Sequence, residues 1–220
     1  MRIPRLALAA CALALVAACS APSGLKQEAS TEFSGLYRLA GTGFSEAWVR
    51  PDAGLENYSA ISATPMQSAG AEVIQPGSSV GSRINLDWEM TAERQASLAA
   101  AWNHAINNAA AAAGMQSTPP AAQALRIDSR LIRIAPRADF NRVQNASGHV
   151  VLLSEYSGEA WVEFRLFDNA SAQLLAVFRD RQQLGPGLWH RSNTVTATMD
   201  TRNALDTWAR RLLSATSANQ

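Results

Sequence analysis

The run from Ala92 to Ala113 constrains the fold more than any other stretch, because it carries helical periodicity with both ends marked. Thr91 is a natural N-cap, Glu93 complements the positive end of the helix, and Gly114 stands where a left-handed residue closes one. Leu98, Trp102, Ala105, Ile106, Ala109 and Ala113 form one apolar stripe, while Glu93, Arg94, Ser97, Asn103, Asn107 and Asn108 fall mostly elsewhere. At 1.5 Å per residue such a helix is roughly 33 Å long, and its alanines let it lie close against a sheet.

The strands that would form that sheet are legible on either side. Tyr58 to Thr64 reads as a strand ended by Pro65, and a short apolar piece from Ala71 to Ile74 stops at Pro76-Gly77. From Leu125 to Ile134 the chain alternates, with Leu125, Ile127 and Leu131 on one face and Arg126, Asp128 and Arg130 on the other. Pro136 to Ser147 is polar and loop-like, and Val150 to Leu153 is a short strand or its lead-in. A hairpin follows: Ala160, Val162, Phe164 and Leu166 share a face, Asp168-Asn169-Ala170-Ser171 turns, and Leu174 to Phe178 returns before Arg179-Asp180-Arg181. A last helix is expected from about Thr201 to Ser214, capped by Asp200, with Leu205, Trp208, Ala209 and Leu212 as its stripe. Earlier, Phe33, Leu36, Tyr37, Phe44, Trp48 and Val49 are too many to leave in water and are expected to strap over the domain. The economical packing is an α+β two-layer sandwich, a mainly antiparallel sheet with the long helix and the C-terminal helix on one face.

The N-terminus sets a different kind of constraint. Arg2 and Arg5 precede an apolar run from Leu6 to Val16, followed by Ala17, Ala18 and Cys19, the order of a secretory signal. A spanning helix needs about 20 apolar residues and this run has roughly 11, so retention in the membrane is not expected. An ordinary signal peptide has no use for cysteine at its cleavage site. The stretch resembles a bacterial lipobox, which implies that Cys19 is lipidated, becomes the first mature residue and carries several acyl chains, an anchor that does not come off. By resemblance to sorted lipoproteins, Ser20 in place of aspartate permits export to the outer membrane. Residues 1–18 are then signal peptide, 19–32 a small, polar and flexible tether, 33–214 a single α+β domain and 215–220 a disordered tail.

Composition narrows the chemistry. Arg2 and Arg5 leave with the signal, so the 19 basic side chains become 17 against 18 acidic, which is not a nucleic-acid-binding balance. Of the two cysteines, Cys11 leaves with the signal and Cys19 is used for lipid, so the folded part has no disulfide, thiol nucleophile or cysteine ligand.

Gly77-Ser78-Ser79-Val80-Gly81 is a literal G-x-S-x-G, and Asp128 or Asp168 with His190 would complete a hydrolase order. A nucleophile elbow needs a strand directly before and a helix directly after; here Pro76 precedes, and Arg83 to Glu89 separates the motif from the helix cap. His104, His149 and His190 show no zinc-binding spacing, so no metal or cofactor is expected. His104 with Asn103, Asn107 and Asn108 could line a polar pocket, but reads better as a solvated helix face. Arg126, Arg130 and Arg181 could meet anionic headgroups or glycans, but Asp128 between the first two favours a salt-bridged outer sheet face. Five of the six tryptophans lie on expected elements or apolar clusters and read as core.

Taken together, Ala47-Trp48-Val49-Arg50-Pro51 followed by Leu55 and Tyr58, the helix after Thr91, the Glu163 to Asp168 hairpin arm and Trp208-Ala209-Arg210-Arg211-Leu212 resemble the bacterial lipoproteins of domain of unknown function 3313. The resemblance runs from about Phe33 to Leu213 and carries over no catalytic residue. The expected protein is a lipid-anchored envelope lipoprotein, on the periplasmic side of the outer membrane, with a non-catalytic interaction or assembly role. Its partners would be the membrane, through Cys19, and another envelope protein. The alternatives are an envelope serine hydrolase using Ser79 and a small-ligand binder using space under the long helix around Trp102.

Overall fold

Alternation in three long strands builds the centre of the molecule. The computed structural model describes residues 25–76, 87–117, 124–140 and 152–217. The segment read as a signal peptide, Cys19, the glycine-serine run containing Ser79, and His149 lie outside them. The strands are β1 (Leu25–Ala29), β2 (Tyr37–Leu39), β3 (Glu46–Val49), β4 (Ala60–Ala63), β5 (Glu72–Val73), β6 (Gln116–Ser117), β7 (Leu125–Pro136), β8 (Leu152–Ser154), β9 (Gly158–Asp168), β10 (Leu174–Leu184) and β11 (His190–Ser192). The helices are α1 (Ala92–Ala112) and α2 (Thr194–Ser217). The main sheet runs β1-β2-β3-β10-β9-β7-β4-β6, with β5 also on β7, and a two-stranded sheet pairs β11 with β8. Pairings from β1 across to β7 are antiparallel, while β4 and β5 run parallel to β7 and β6 parallel to β4.

Period two sorts the side chains of the long strands. Ala160, Val162, Phe164 and Leu166 of β9, with Ile127 and Leu131 of β7 and Phe178 of β10, are buried under the helices. Trp102 of α1 stacks on Phe164 with ring centroids 5.0 Å apart, and Trp208 of α2 is buried in the same core. The two helices also pack on each other, completing the second layer of an α+β sandwich. Thr91 caps α1, its side chain accepting from the Arg94 amide at 3.3 Å, and Gly114 takes φ +70° just beyond the last turn. Ala113 closes the helix as an exposed residue instead of joining its buried stripe.

Several expectations change. Within the stretch read as tether, Leu25–Ala29 is an edge strand paired to β2, because extended backbone beside a free edge gains hydrogen bonds that composition does not reveal. The aromatic strap becomes part of the sheet as strands β2 and β3, with Trp48 meeting Phe33 at 5.4 Å on the face away from the helices and Phe44 and Val49 joining the core beneath them. Strand β10 continues through Arg179-Asp180-Arg181 to Leu184. It can do so because the two arginines point outward into ion pairs, while inward-facing Asp180 accepts from Trp208 Nε1 at 2.8 Å, Arg211 at 2.7 Å and Ser45 Oγ at 2.7 Å.

Helix α2 starts at Thr194 and ends at Ser217, so Asp200 lies inside it and is no cap. Asn193 takes that role: its Oδ1 accepts from the Thr196 amide at 3.0 Å, and its own amide donates to Thr196 Oγ1 at 2.8 Å. Ala215 and Thr216, placed in a disordered tail by sequence, are buried.

Candidate interaction surface

The antiparallel registers stack one end of the sheet: Pro136 pairs with Gly158, and Gly158 with Leu184. Two glycines permit the chain to close there. A Cβ on Gly158 would stand 2.8 Å from the Ala135 carbonyl oxygen, and Gly185 has φ +143° with its missing Cβ 2.8 Å from Tyr156 Cα. Beyond that end a small second core forms from Ala138 and Phe140, with Leu152 and Ala197 packed on it. It supports the β8–β11 pair and the first turns of α2.

Around this support, large apolar side chains face outward. Leu188 is 71% exposed, Val195 68%, Trp189 67%, Met199 56% and Leu153 56%. Among the described residues only Ile74 and Ile132 are other exposed large hydrophobics, at 40% and 37%. Register places Leu153 opposite Arg191, two residues from Trp189 and so on its face of the strand. Val195, Met199 and Arg202 fall on one side of α2 at helical spacing. Arg191 and Arg202 are exposed, and neither is in an ion pair among the described residues.

Beside this rim lies a cleft of about 340 Å³ lined by Gln182, Gly185, His190, Met199, Asp200 and Asn203. Buried Asp200 accepts a short hydrogen bond from the Ser157 hydroxyl. His190 Nε2 is 3.8 Å from the same carboxylate oxygen, and its Nδ1 is 2.9 Å from the Leu188 carbonyl oxygen. A carbonyl only accepts, so Nδ1 carries a proton and donates to Leu188, while Nε2 at 3.8 Å lies outside hydrogen-bond reach of Asp200. Serine, aspartate and histidine meet here in the wrong sequence for a nucleophile relay: the hydroxyl proton goes to the carboxylate, and the imidazole does not bridge them.

The hydrolase set named from sequence is dispersed. Asp168 sits in the β9–β10 turn, where it accepts from Tyr58 OH and from Ser171 Oγ and amide, and Asp128 pairs with Arg126 at 3.4 Å on the outer sheet face. His190 meets Asp200 instead of either, and Ser79 lies outside the described residues. The Tyr58 and Asp168 groups tune each other. Burial, and then the hydrogen bond to Asp168, push the Tyr58 phenol up to about 12. That hydrogen bond and those from Ser171 hold Asp168 down at about 2.

The outer face of the sheet is a ladder of arginines, aromatics and carboxylates. Arg126 lies over Phe167, Arg133 and Arg181 flank Trp161, and Arg179 lies between Phe33 and Trp48. Glu163, buried, is shared by Arg165 and Arg179 at 2.7 Å each, and Arg181 pairs with Glu159. The hydrogen bond from Arg179 holds the Glu32 carboxyl below the usual carboxylate range. Arg126 and Arg181 are thus committed to carboxylates, and Arg130 is the one of the three named from sequence with no such partner among the described residues.

On α1, His104 is exposed and hydrogen-bonded to Asn108 at 2.9 Å, and Asn107 accepts from Ser117. Space under α1 at Trp102 is filled by Phe164; a cleft of about 700 Å³ lies instead beside the first turns, lined by Met66, Gln95, Ala96, Ala99 and Leu131 among others. Of the six tryptophans, Trp102 and Trp208 are core, whereas Trp189 is exposed. Among the described residues no three of His, Cys, Asp and Glu converge on a metal-sized site, and no helix is long and apolar enough to cross a membrane.

The family model described as "Protein of unknown function (DUF3313)" matches residues 23–212. The chain belongs to that family. No curated protein matches the DUF3313 chain. Among solved structures, it is similar to PelC from Paraburkholderia phytofirmans, crystallised as a dodecamer of a point variant, at 8% identity over 68% of this chain and 86% of PelC, with a TM-score of 0.36. It is also similar to protein XCC0632 from Xanthomonas campestris, of family DUF330, at 9% identity over 73% of this chain and 84% of that one, with a TM-score of 0.39.

Sequence reasoning missed the apolar end. Its signal was present in Leu188-Trp189 directly after Gly185-Pro186-Gly187, two large apolar residues with no room for a strand or helix to bury them. The other half, Val195 and Met199, becomes visible only when the helix is begun at Thr194.

Proposed function

We propose that this chain is an envelope lipoprotein, held through lipid on Cys19 at the periplasmic face of the outer membrane, that presents a binding surface to another envelope component and catalyses no reaction. The observation that carries the reading is the cluster of Leu153, Leu188, Trp189, Val195 and Met199 at one end of the domain. A body whose outer sheet face is finished with ion pairs leaves such a group in water only where a contact removes it. The lipobox supplies the place for that contact, and the arrangement of Ser157, Asp200 and His190 holds a loop to a helix without forming a proton relay.

Crosslinking of the full chain in intact cells tests this. The reading predicts a discrete envelope component among the products. Robust turnover of an envelope substrate by the purified protein would overturn it.

A further inference from the structure

We infer that the apolar end is a second membrane contact, in which Trp189, Leu188, Leu153, Val195 and Met199 enter the interface of the bilayer that carries the lipid on Cys19. This rests on the lipoprotein reading and names the occupant of the same surface.

The strand registers carry the geometry. Arg38 pairs with Trp48 and Ala47 with Phe178, so Leu39, and Leu25 opposite it, lie level with Phe178 of β10. Strand β1 runs antiparallel to β2 and is therefore entered from the side toward which β2 and β10 run, the side of Leu184 and the apolar end. From Phe178 to Leu184 the strand advances six residues, about 20 Å, and from Leu25 back to Cys19 is also six residues, at most about 20 Å of chain. Six residues of chain are thus long enough for the anchor to reach the level of the apolar end along the strand axis.

Composition agrees with a lipid occupant. A tryptophan flanked by leucine suits the headgroup boundary, where its ring is apolar on one side and wet on the other. Arg191 and Arg202 stand on the same faces without carboxylate partners, as phosphate-bearing headgroups would require. Two acidic groups of this end are occupied, Asp200 by Ser157 and Asp139 by Arg94 at 3.1 Å, while the carboxylate of Glu155, two residues from Leu153, is in no ion pair among the described residues. One lipid-bearing residue and one apolar end fix an orientation as well as a location.

The test uses the full acylated protein reconstituted into phosphatidylethanolamine and phosphatidylglycerol vesicles, with bromine on the acyl chains as quencher. Trp189 is one of six tryptophans, so wild type should lose up to about a sixth of its emission, and Trp189→Phe, a conservative change at an exposed position, should lose none. Equal quenching in both proteins, or quenching in neither, overturns the inference, as does a Trp189 shielded by a second copy of the chain before lipid is added. Fatty-acid labelling of the same preparation separates the two claims. Labelled protein with unquenched Trp189 loses only the membrane contact, and unlabelled protein loses the anchor and the contact with it.

Discussion

Tyr58 and Asp168 tie the start of β4 to the β9–β10 turn through one 2.7 Å hydrogen bond, and each shifts the other's titration. Asp168, held at about 2, stabilises the fold above its unfolded value near 3.8, and that contribution is lost as pH falls through about 2. Tyr58, raised to about 12, contributes below its unfolded value near 10, and loses that contribution as pH rises through about 12. Replacing Tyr58 by phenylalanine should therefore lower the urea midpoint by a constant amount between about pH 5 and 9, with the gap from wild type closing on both the acid and the alkaline side. A gap independent of pH would mean that the hydrogen bond does not couple the two groups. Asp180 shows how little of such an arrangement is visible beforehand. As one letter between two arginines it reads as the end of a strand, yet its partners Ser45, Trp208 and Arg211 come from distant parts of the chain.

Elements were legible where one periodicity ran unbroken. Helix α1 announces itself by Thr91, its alanine-rich stripe and Gly114, and the β9–β10 hairpin by alternation and turn residues. Helix α2 was only half legible, because Thr194-Val195-Thr196-Ala197-Thr198 is built from weak helix formers and looks like a loop. What makes it helical is the reciprocal pair of hydrogen bonds between Asn193 and Thr196, together with Ala197 packed on the small core of Ala138 and Phe140. Removing that cap by Asn193→Ala should cost about 1 kcal/mol of global stability in denaturant titration. The first turns of α2 should show a larger loss of amide protection than the turns around Trp208. A uniform loss along the helix would contradict a local role for the cap. Strand β1 was not legible at all, since pairing at a sheet edge is decided by the neighbour and leaves no pattern in five residues.

At the scale of the molecule, the α+β sandwich follows from the sequence because its two layers are the two strongest patterns in it, one long helix and one long alternating hairpin. The apolar end does not follow, because its parts sit in three segments, around Leu153, at Leu188-Trp189 and at Val195 to Met199, that only the closed end of the sheet brings together. Membership in the DUF3313 family adds order and extent to this picture without adding a reaction. Everything said of place and partner depends on Cys19 carrying lipid. Metabolic labelling with a radioactive fatty acid tests that most directly: the account predicts a labelled wild-type product and loss of the label in Cys19→Ala, and a wild-type product without label, or label that persists in the variant, would contradict it.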